Sequence, residues 1–410
     1  MPDRPTPPSS VVVVGAGLAA AAAVAALRTE GFDGHLTVLG AEDLAPYDRP
    51  PLSKELFART EPVWLAEDLG LVLAADDVRL AEPATGFALS PDGVRVTTAS
   101  GDVAAGAAVL ATGAHAVLPQ GLAGARTLHT AADAAALRAA LRPGARLVVV
   151  GAGWIGAEVA GVAAAAGVDV TVVEAGPAPL AGALGPTVGA LTMPWYAAAG
   201  VRLVTGRPVV EADPGRVRLA DGEELRADVV LAAVGARPAS AWLGGTLPVA
   251  ADGSVDVDGA YRVPGEPRVV VVGDLARRRS PRHGWVPGGH WDGALRGPAV
   301  AVRALLGLPV DGPAFDVAPY VFSTQLGHDL GLVGAPGPGD DVVLRGEPDG
   351  PFGVAWLRAG TDELTAVLAV DRPRDVSAAR RLFTGERLPR ADRALLADPA
   401  VPLKAAVPAS

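Results

Sequence analysis

Cysteine is absent from the 410-residue chain. Its absence excludes a redox-active disulfide, a thiol nucleophile, a Cys-ligated zinc and any iron–sulfur cluster held by this chain, so electrons could move only on something bound. Basic residues are in the minority: 35 Lys and Arg face 45 Asp and Glu, a formal net charge of −10. That balance favours solubility and argues against a surface given over to nucleic acid. Lysine is scarce, occurring only as Lys54 and Lys404. The longest apolar run near the start, Val11–Leu27, is broken by Gly15 and Gly17 and preceded by Asp3 and four prolines, a poor signal peptide and a poor membrane span. Histidines 35, 115, 129, 283, 290 and 328 show no close paired ligand spacing, and no GxSxG elbow occurs. We therefore expect a soluble, cytoplasmic protein with no metal site, no membrane anchor and no nucleic-acid partner.

What is present is a globular composition. Half of the residues are apolar, and 51 glycines and 37 prolines punctuate them. The length suits two or three domains of ordinary size, each able to bury its own core.

The chain repeats one pattern. Val11–Leu39 reads as a β-branched strand, the turn GAGLAA, an alanine helix and a second strand; Arg146–Glu174 repeats this with VVVGAGWIG, AEVAGVAAAAG and VDVTVVE, 136 residues later. In a dinucleotide-binding βαβ unit the first glycine allows a tight turn, the second lets backbone N–H groups approach a pyrophosphate, and the third permits close packing of helix on strand. Gly151, Gly153 and Gly156 fill all three places, while Gly15 and Gly17 fill two and Ala20 stands in the third. Two copies, each between strands, point to two dinucleotide sites.

An acidic residue closing each unit accepts hydrogen bonds from ribose hydroxyls. Glu174 follows the strand Val170–Val173, and no basic residue occurs between it and Arg202, so a 2′-phosphate would meet a carboxylate without a compensating cation. NADH is favoured over NADPH. In the first unit Ala41 occupies the corresponding position and Glu42 follows it. Further strands end in glycine: Arg268–Val272 before Gly273 and Asp274, Ala107–Ala111 before Thr112 and Gly113, and Val229–Ala233 before Val234 and Gly235. Such exits suit a chain that leaves one dinucleotide domain, enters a second and returns, and Asp274 is placed to orient a polyol or ribityl hydroxyl.

PYDRPPLSK at Pro46–Lys54, ATG at Ala111–Gly113, GAGWIGAE at Gly151–Glu158, Gly273–Asp274, HWD at His290–Asp292 and Pro319–Tyr320 occur in family order. Together they resemble the FAD-dependent, NADH-using ferredoxin and rubredoxin reductases, within the glutathione-reductase-like flavoproteins. The resemblance runs from Val11 to about Lys404. It implies an α/β fold with two Rossmann-like domains, the FAD domain split by an inserted NAD domain, followed by a C-terminal α+β domain. The corresponding boundaries are 1–116 with 246–311 for FAD, 117–245 for NAD and 312–410 for the C-terminal domain. It further implies that Arg49 and Lys54 hold the FAD phosphates and isoalloxazine region, Asp274 the ribityl chain, and that Trp291 borders the flavin. Glu158 corresponds to a glutamate beside the nicotinamide. Lys54 and Glu158 are thus the implied catalytic pair of residue types, in hydride transfer from NADH to flavin.

The chain departs from that pattern in several places. Gly289 stands where relatives carry the Glu of EHW; Val321, Phe322, Thr324 and Leu326 alter PYFWSDQYG; ATGAR ends in His115; LRT reads Leu128, His129, Thr130. The acceptor implied is a [2Fe–2S] ferredoxin or a rubredoxin feeding a cytochrome P450 or oxygenase. The alternatives are a quinone or other small acceptor, or an interaction role like that of apoptosis-inducing-factor relatives. The protein is expected as monomer or homodimer. Arg277, Arg278, Arg279 and Arg282, with His283, form a cationic run three residues after Asp274, expected to dock an acidic carrier near the flavin edge.

Overall fold

The computed structural model describes residues 7–213 and 215–407. Its first sheet has six strands in the order Arg262–Val263, Glu266–Val271, Ala107–Leu110, Ser10–Val14, His35–Leu39, Asp77–Arg79. All neighbours are parallel except the first pair, which is antiparallel. Parallel strands covered on both faces read as continuous apolar runs, which is why Val11–Val14 carries no polar alternation. Val11 and Val13 face the helices Leu18–Thr29 and Trp291–Leu305, whereas Val12 and Val14 face a layer that includes the antiparallel strands Gly86–Ser90, Gly93–Thr98 and Gly101–Ala105. Alanines 19, 20 and 23 on one helix and Ala301 on the other let the two helices approach closely in a single core.

The second glycine unit builds a separate four-stranded parallel sheet, ordered Arg202–Val204, Asp169–Val173, Arg146–Val150, Val229–Ala232. The chain crosses between the two sheets twice, and the crossing segments Ala114–Ala116 and Ala236–Pro238 pair antiparallel. Soon after the return, Leu243 and Leu247 are buried in the core of the first sheet.

The last part of the chain forms a five-stranded antiparallel sheet in the order Tyr320–Gln325, His328–Gly334, Leu364–Val370, Phe352–Leu357, Asp341–Arg345. Strand alternation sends Leu330, Leu332, Val354, Trp356 and Leu368 into one core with Val159 and Trp195 of the second unit. The opposite face, with Val333, Ala355 and Val367, is covered by Ala379, Phe383 and Leu396 of the C-terminal segments. Both faces being covered, strands Phe352–Leu357 and Leu364–Val370 are buried along their whole length. Among the described residues no helix is long and apolar enough to cross a membrane.

Candidate functional site

Both glycine turns open into one cavity of about 1160 Å³, larger than the roughly 300–1,000 Å³ of ordinary ligand pockets. Each turn is shaped by contacts that only glycine permits. Gly15 has φ +122°, and a Cβ there would lie 2.2 Å from the Ala111 carbonyl oxygen; at Gly151, φ +102°, it would lie 2.5 Å from that of Ala233. By contrast, a Cβ at Gly17 or Gly153 would meet nothing within 4 Å, so these backbones face open space in the cavity. That is the cradle a pyrophosphate requires, offered twice.

Of the residues proposed from sequence, Gly15, Gly17, Glu42, Arg49, Lys54, Ala111, Thr112, Gly113, Gly151, Gly153, Glu158, Glu174, Gly235, Gly273, Asp274 and Trp291 line this cavity. Ala20 and Gly156 do not. Ala20 is buried in the helix core, and a Cβ at Gly156 would come within 2.1 Å of the Gly151 carbonyl oxygen, so both serve helix packing rather than contact with a ligand.

The carboxylates are held in distinct ways. Glu174 accepts from the backbone N–H groups of Ala152 and Gly176, each at 2.7 Å, which fixes it against the second glycine turn. Glu42 accepts from Tyr47 Oη at 2.6 Å and from Arg49 Nη2 at 2.7 Å, and Arg49 Nη1 donates to the His129 carbonyl at 2.5 Å. Desolvation pushes the Tyr47 hydroxyl up to about 12, so it remains a donor. Asp274 Oδ1 accepts from the Gly289 N–H at 2.9 Å, tying the end of one strand to the entry of helix Trp291–Leu305. Trp291 Nε1 donates to Asp48 Oδ1 at 2.7 Å; burial raises the pKa of Asp48 despite that bond.

Lys54 and Glu158 come together. Lys54 Nζ donates to Glu158 Oε1, which also accepts from Ser323 Oγ, while Ser53 Oγ donates to Oε2 at 2.5 Å. Gln325 Nε2 in turn donates to Ser323 Oγ at 3.1 Å. The buried carboxylate thus joins helix Pro51–Lys54, helix Trp154–Ala165 and strand Tyr320–Gln325. Phe322, at the place of a tryptophan in the resembling reductases, sits 5.3 Å from the ammonium and edge-on to Trp291 at 6.0 Å. Sequence reasoning missed Ser53, Ser323 and Gln325. Ser53 stood inside the quoted PYDRPPLSK, but nothing in the linear pattern says that it faces Glu158.

The cationic run is corrected. Arg278 and Arg282 are buried, at 4% and 8% exposure, and both pair with Asp316. Arg282 also donates to the carbonyls of Phe383 and Gly385, so it pins the C-terminal domain in place. Arg277 is paired with Asp256. Only Arg279 of the four is exposed without an acidic partner among the described residues, and it lies over the Trp285 ring. None of the four lines the cavity. A run of four arginines is not a solvated patch here because strand alternation turns Arg278 inward and Asp316 meets it.

The sequence of residues 9–293 matches the family model described as pyridine nucleotide-disulphide oxidoreductase, and residues 320–407 match the reductase C-terminal model. The chain belongs to the pyridine nucleotide-disulphide oxidoreductase family. Members of this family similar to the chain include the biphenyl dioxygenase system ferredoxin–NAD(+) reductase component of Paraburkholderia xenovorans, 33% identical over 91% of this chain and 92% of the relative. Putidaredoxin reductase of Pseudomonas putida is 31% identical over 98% and 97%. Among solved structures of the family, the covalent putidaredoxin reductase–putidaredoxin complex superposes with TM-score 0.86 at 28% identity, covering 96% of this chain and 97% of that one. The disulphide chemistry in the family's name has no counterpart in a chain without cysteine.

Proposed function

We propose that this oxidoreductase passes electrons from NADH through FAD to a ferredoxin or rubredoxin that supplies an oxygenase or cytochrome P450. The observation that carries this reading is the convergence of two glycine turns and the Lys54–Glu158 pair on one cavity, in a chain whose relatives over nine-tenths of its length are ferredoxin–NAD(+) reductases. Bound FAD supplies the conversion of a two-electron hydride into single electrons for a one-electron carrier.

The protein's own part is binding, orientation and exclusion of water. Gly15 and Gly17 cradle the FAD pyrophosphate, with Ala111, Thr112 and Gly113 beside them, Arg49 is directed there by Glu42, and Asp274 with Gly273 holds the ribityl chain. Gly151 and Gly153 cradle the NADH pyrophosphate, Glu174 takes the ribose hydroxyls, and Gly235 closes that side. Trp291 and Phe322 wall the flavin region against water. Lys54 keeps a positive charge beside the reacting rings, and Glu158 holds it there. The division goes with this assignment as 1–116 with 246–311, 117–245 and 312–410, with Leu243 already packed in the first core just ahead of the return. We assign the protein to the cytoplasm, where NADH and such carriers meet.

The deciding experiment is anaerobic addition of NADH to protein reconstituted with FAD, followed by a [2Fe–2S] ferredoxin. Bleaching of the flavin band and then reduction of the ferredoxin are expected. Flavin reduction that is never passed to any ferredoxin or rubredoxin, but readily to a quinone, would replace the carrier reading with the small-acceptor one.

A further inference from the structure

Ser323 and Gln325 stand two places apart on strand Tyr320–Gln325, each 2% exposed, while Thr324 between them faces solvent. The alternation turns both toward helix Trp154–Ala165, which carries Glu158. The approach is close. A Cβ at Gly161, one turn beyond Glu158 on that helix, would lie 2.8 Å from the Leu326 backbone nitrogen, so the missing side chain lets the strand end settle on the helix. Neither Ser323 nor Gln325 lines the cavity. Ser323 reaches it through Glu158, and Gln325 through Ser323.

One end of the Gln325 amide is left unsatisfied. Its Nε2 donates to Ser323 Oγ at 3.1 Å, whereas Oε1 is buried with no partner among the described residues. Turning the amide over would not cure this. Ser323 has a single hydroxyl proton, already directed to Glu158 Oε1 at 2.5 Å, so a flipped amide would set two oxygens against each other and orphan the NH2 group instead. A buried polar atom without a partner opposes folding, and its presence calls for a reason other than stability. The geometry supplies one. With an N–H donor on Oγ, the Ser323 hydroxyl keeps its proton turned to the carboxylate.

We propose that Ser323, locked by Gln325, is a positioning residue for hydride transfer: the C-terminal domain supplies the hydroxyl that sets Glu158 and, through it, the Lys54 ammonium. The inference rests on the reading of Lys54 given above, as the positive charge beside the reacting rings. Glu158 Oε1 is shared between Lys54 Nζ and Ser323 Oγ, and Oε2 accepts from Ser53 Oγ at 2.5 Å. Three donors give the carboxylate one orientation, and two hydroxyls answer part of its charge. Without Ser323 the carboxylate turns about its remaining partners and leans more of that charge on Lys54. The ammonium is then drawn from its place, and its field at the reacting rings weakens.

The test is anaerobic stopped-flow reduction of the FAD-reconstituted full-length protein by NADH. Ser323→Ala should lower the limiting rate of flavin reduction roughly ten- to a hundredfold and Gln325→Met roughly three- to tenfold, the ranges for a hydrogen bond to a charged and to a neutral group. The NADH concentration giving half the limiting rate should stay unchanged in both, because neither side chain lines the cavity. Ser323→Thr, which keeps the hydroxyl, should restore the rate. The double variant should be no slower than Ser323→Ala alone, since Gln325 acts through that hydroxyl. Two further measurements stand apart from turnover. The flavin midpoint potential should become more negative in Ser323→Ala, and the denaturant midpoint of Gln325→Met should not fall below that of wild type, because the orphaned acceptor is gone. A wild-type rate in Gln325→Met, a multiplicative loss in the double variant or an unchanged potential in Ser323→Ala overturns the inference. Lys54→Met separates the two readings. A slowed Lys54→Met beside a wild-type Ser323→Ala overturns the inference alone, and a wild-type rate in Lys54→Met overturns both.

Discussion

Lys54 and Glu158 lie 104 residues apart in sequence and form an ion pair at the meeting point of all three parts of the chain. The Glu158 side chain is 4% exposed and that of Lys54 18%. A buried pair costs desolvation to assemble, so its presence reports a positional requirement more than a stabilising one. Breaking it from one side is another matter. Glu158→Ala should destabilise the protein by about 3 kcal/mol, because Lys54, Ser53 and Ser323 lose their common acceptor. Denaturant melts of Glu158→Ala, Lys54→Met and the double variant form a cycle. Additive losses would show that the pair is not energetically coupled.

Cofactor choice should depend on Glu174. Its carboxylate is fixed by Ala152 and Gly176, and the nearby Arg207 turns its guanidinium to Asp221 and Glu223 instead of toward the cavity. Wild-type protein should therefore be reduced faster by NADH than by NADPH, and Glu174→Ala should narrow that gap, chiefly by slowing NADH. Anaerobic stopped-flow traces with each cofactor measure it. Equal wild-type rates would contradict the role given to Glu174.

Asp316 should matter more than any exposed arginine near it. It carries the ion pairs of both Arg278 and Arg282, and their hydrogen bonds outweigh the upward push of burial to keep its pKa low. Removing it strands two buried guanidinium groups, and Asp316→Ala should cost roughly 3–5 kcal/mol. Arg279→Ala, at the exposed position on the strand Ala276–Ser280 that also carries Arg278, should change stability by no more than about 0.5 kcal/mol. Comparable melting shifts for the two variants would refute the distinction.

Stability should fall toward acid pH in part through His283. The ring is buried near Phe383 with Nε2 unpartnered, and burial, then Arg282, pushes its pKa down to about 4. An unfolded histidine titrates near 6.5. Between those values the unfolded chain binds more protons, so stability rises with pH. The contribution is complete above about pH 6.5 and is lost as pH falls through about 4; over the full interval it amounts to roughly 3 kcal/mol. Chemical melts at pH 7 and 4.5 should show a smaller drop for His283→Phe than for wild type. Identical drops would rule His283 out as the source.

Asp274→Ala should weaken FAD retention by about 1–3 kcal/mol, the range for a lost hydrogen bond to a charged group. Ultrafiltration of the reconstituted variant against wild type, with released flavin read by absorbance, checks it. Unchanged retention would leave Asp274 only its backbone tie to Gly289.

Local pattern was enough for the two βαβ units, their glycine turns and Glu174. These features are short-range: a Val run, a glycine-rich turn and an alanine helix are all written within about thirty residues, although the carbonyls that crowd Gly15 and Gly151 come from strands far along the chain. The same locality explains where reading failed. Which face a charged side chain takes, and what meets it there, depends on partners far along the chain. Arg278 and Arg282 looked like one patch with Arg277 and Arg279 until Asp316 was brought beneath them. Likewise Ser323 and Gln325 acquired a role only when the C-terminal sheet packed its strand Tyr320–Gln325 against helix Trp154–Ala165 and delivered a hydroxyl to Glu158. The residue types needed for two dinucleotide sites were determined by sequence; the electrostatic state of each site was decided by tertiary structure, because charges pair through space and desolvation exists only once a core has closed around them.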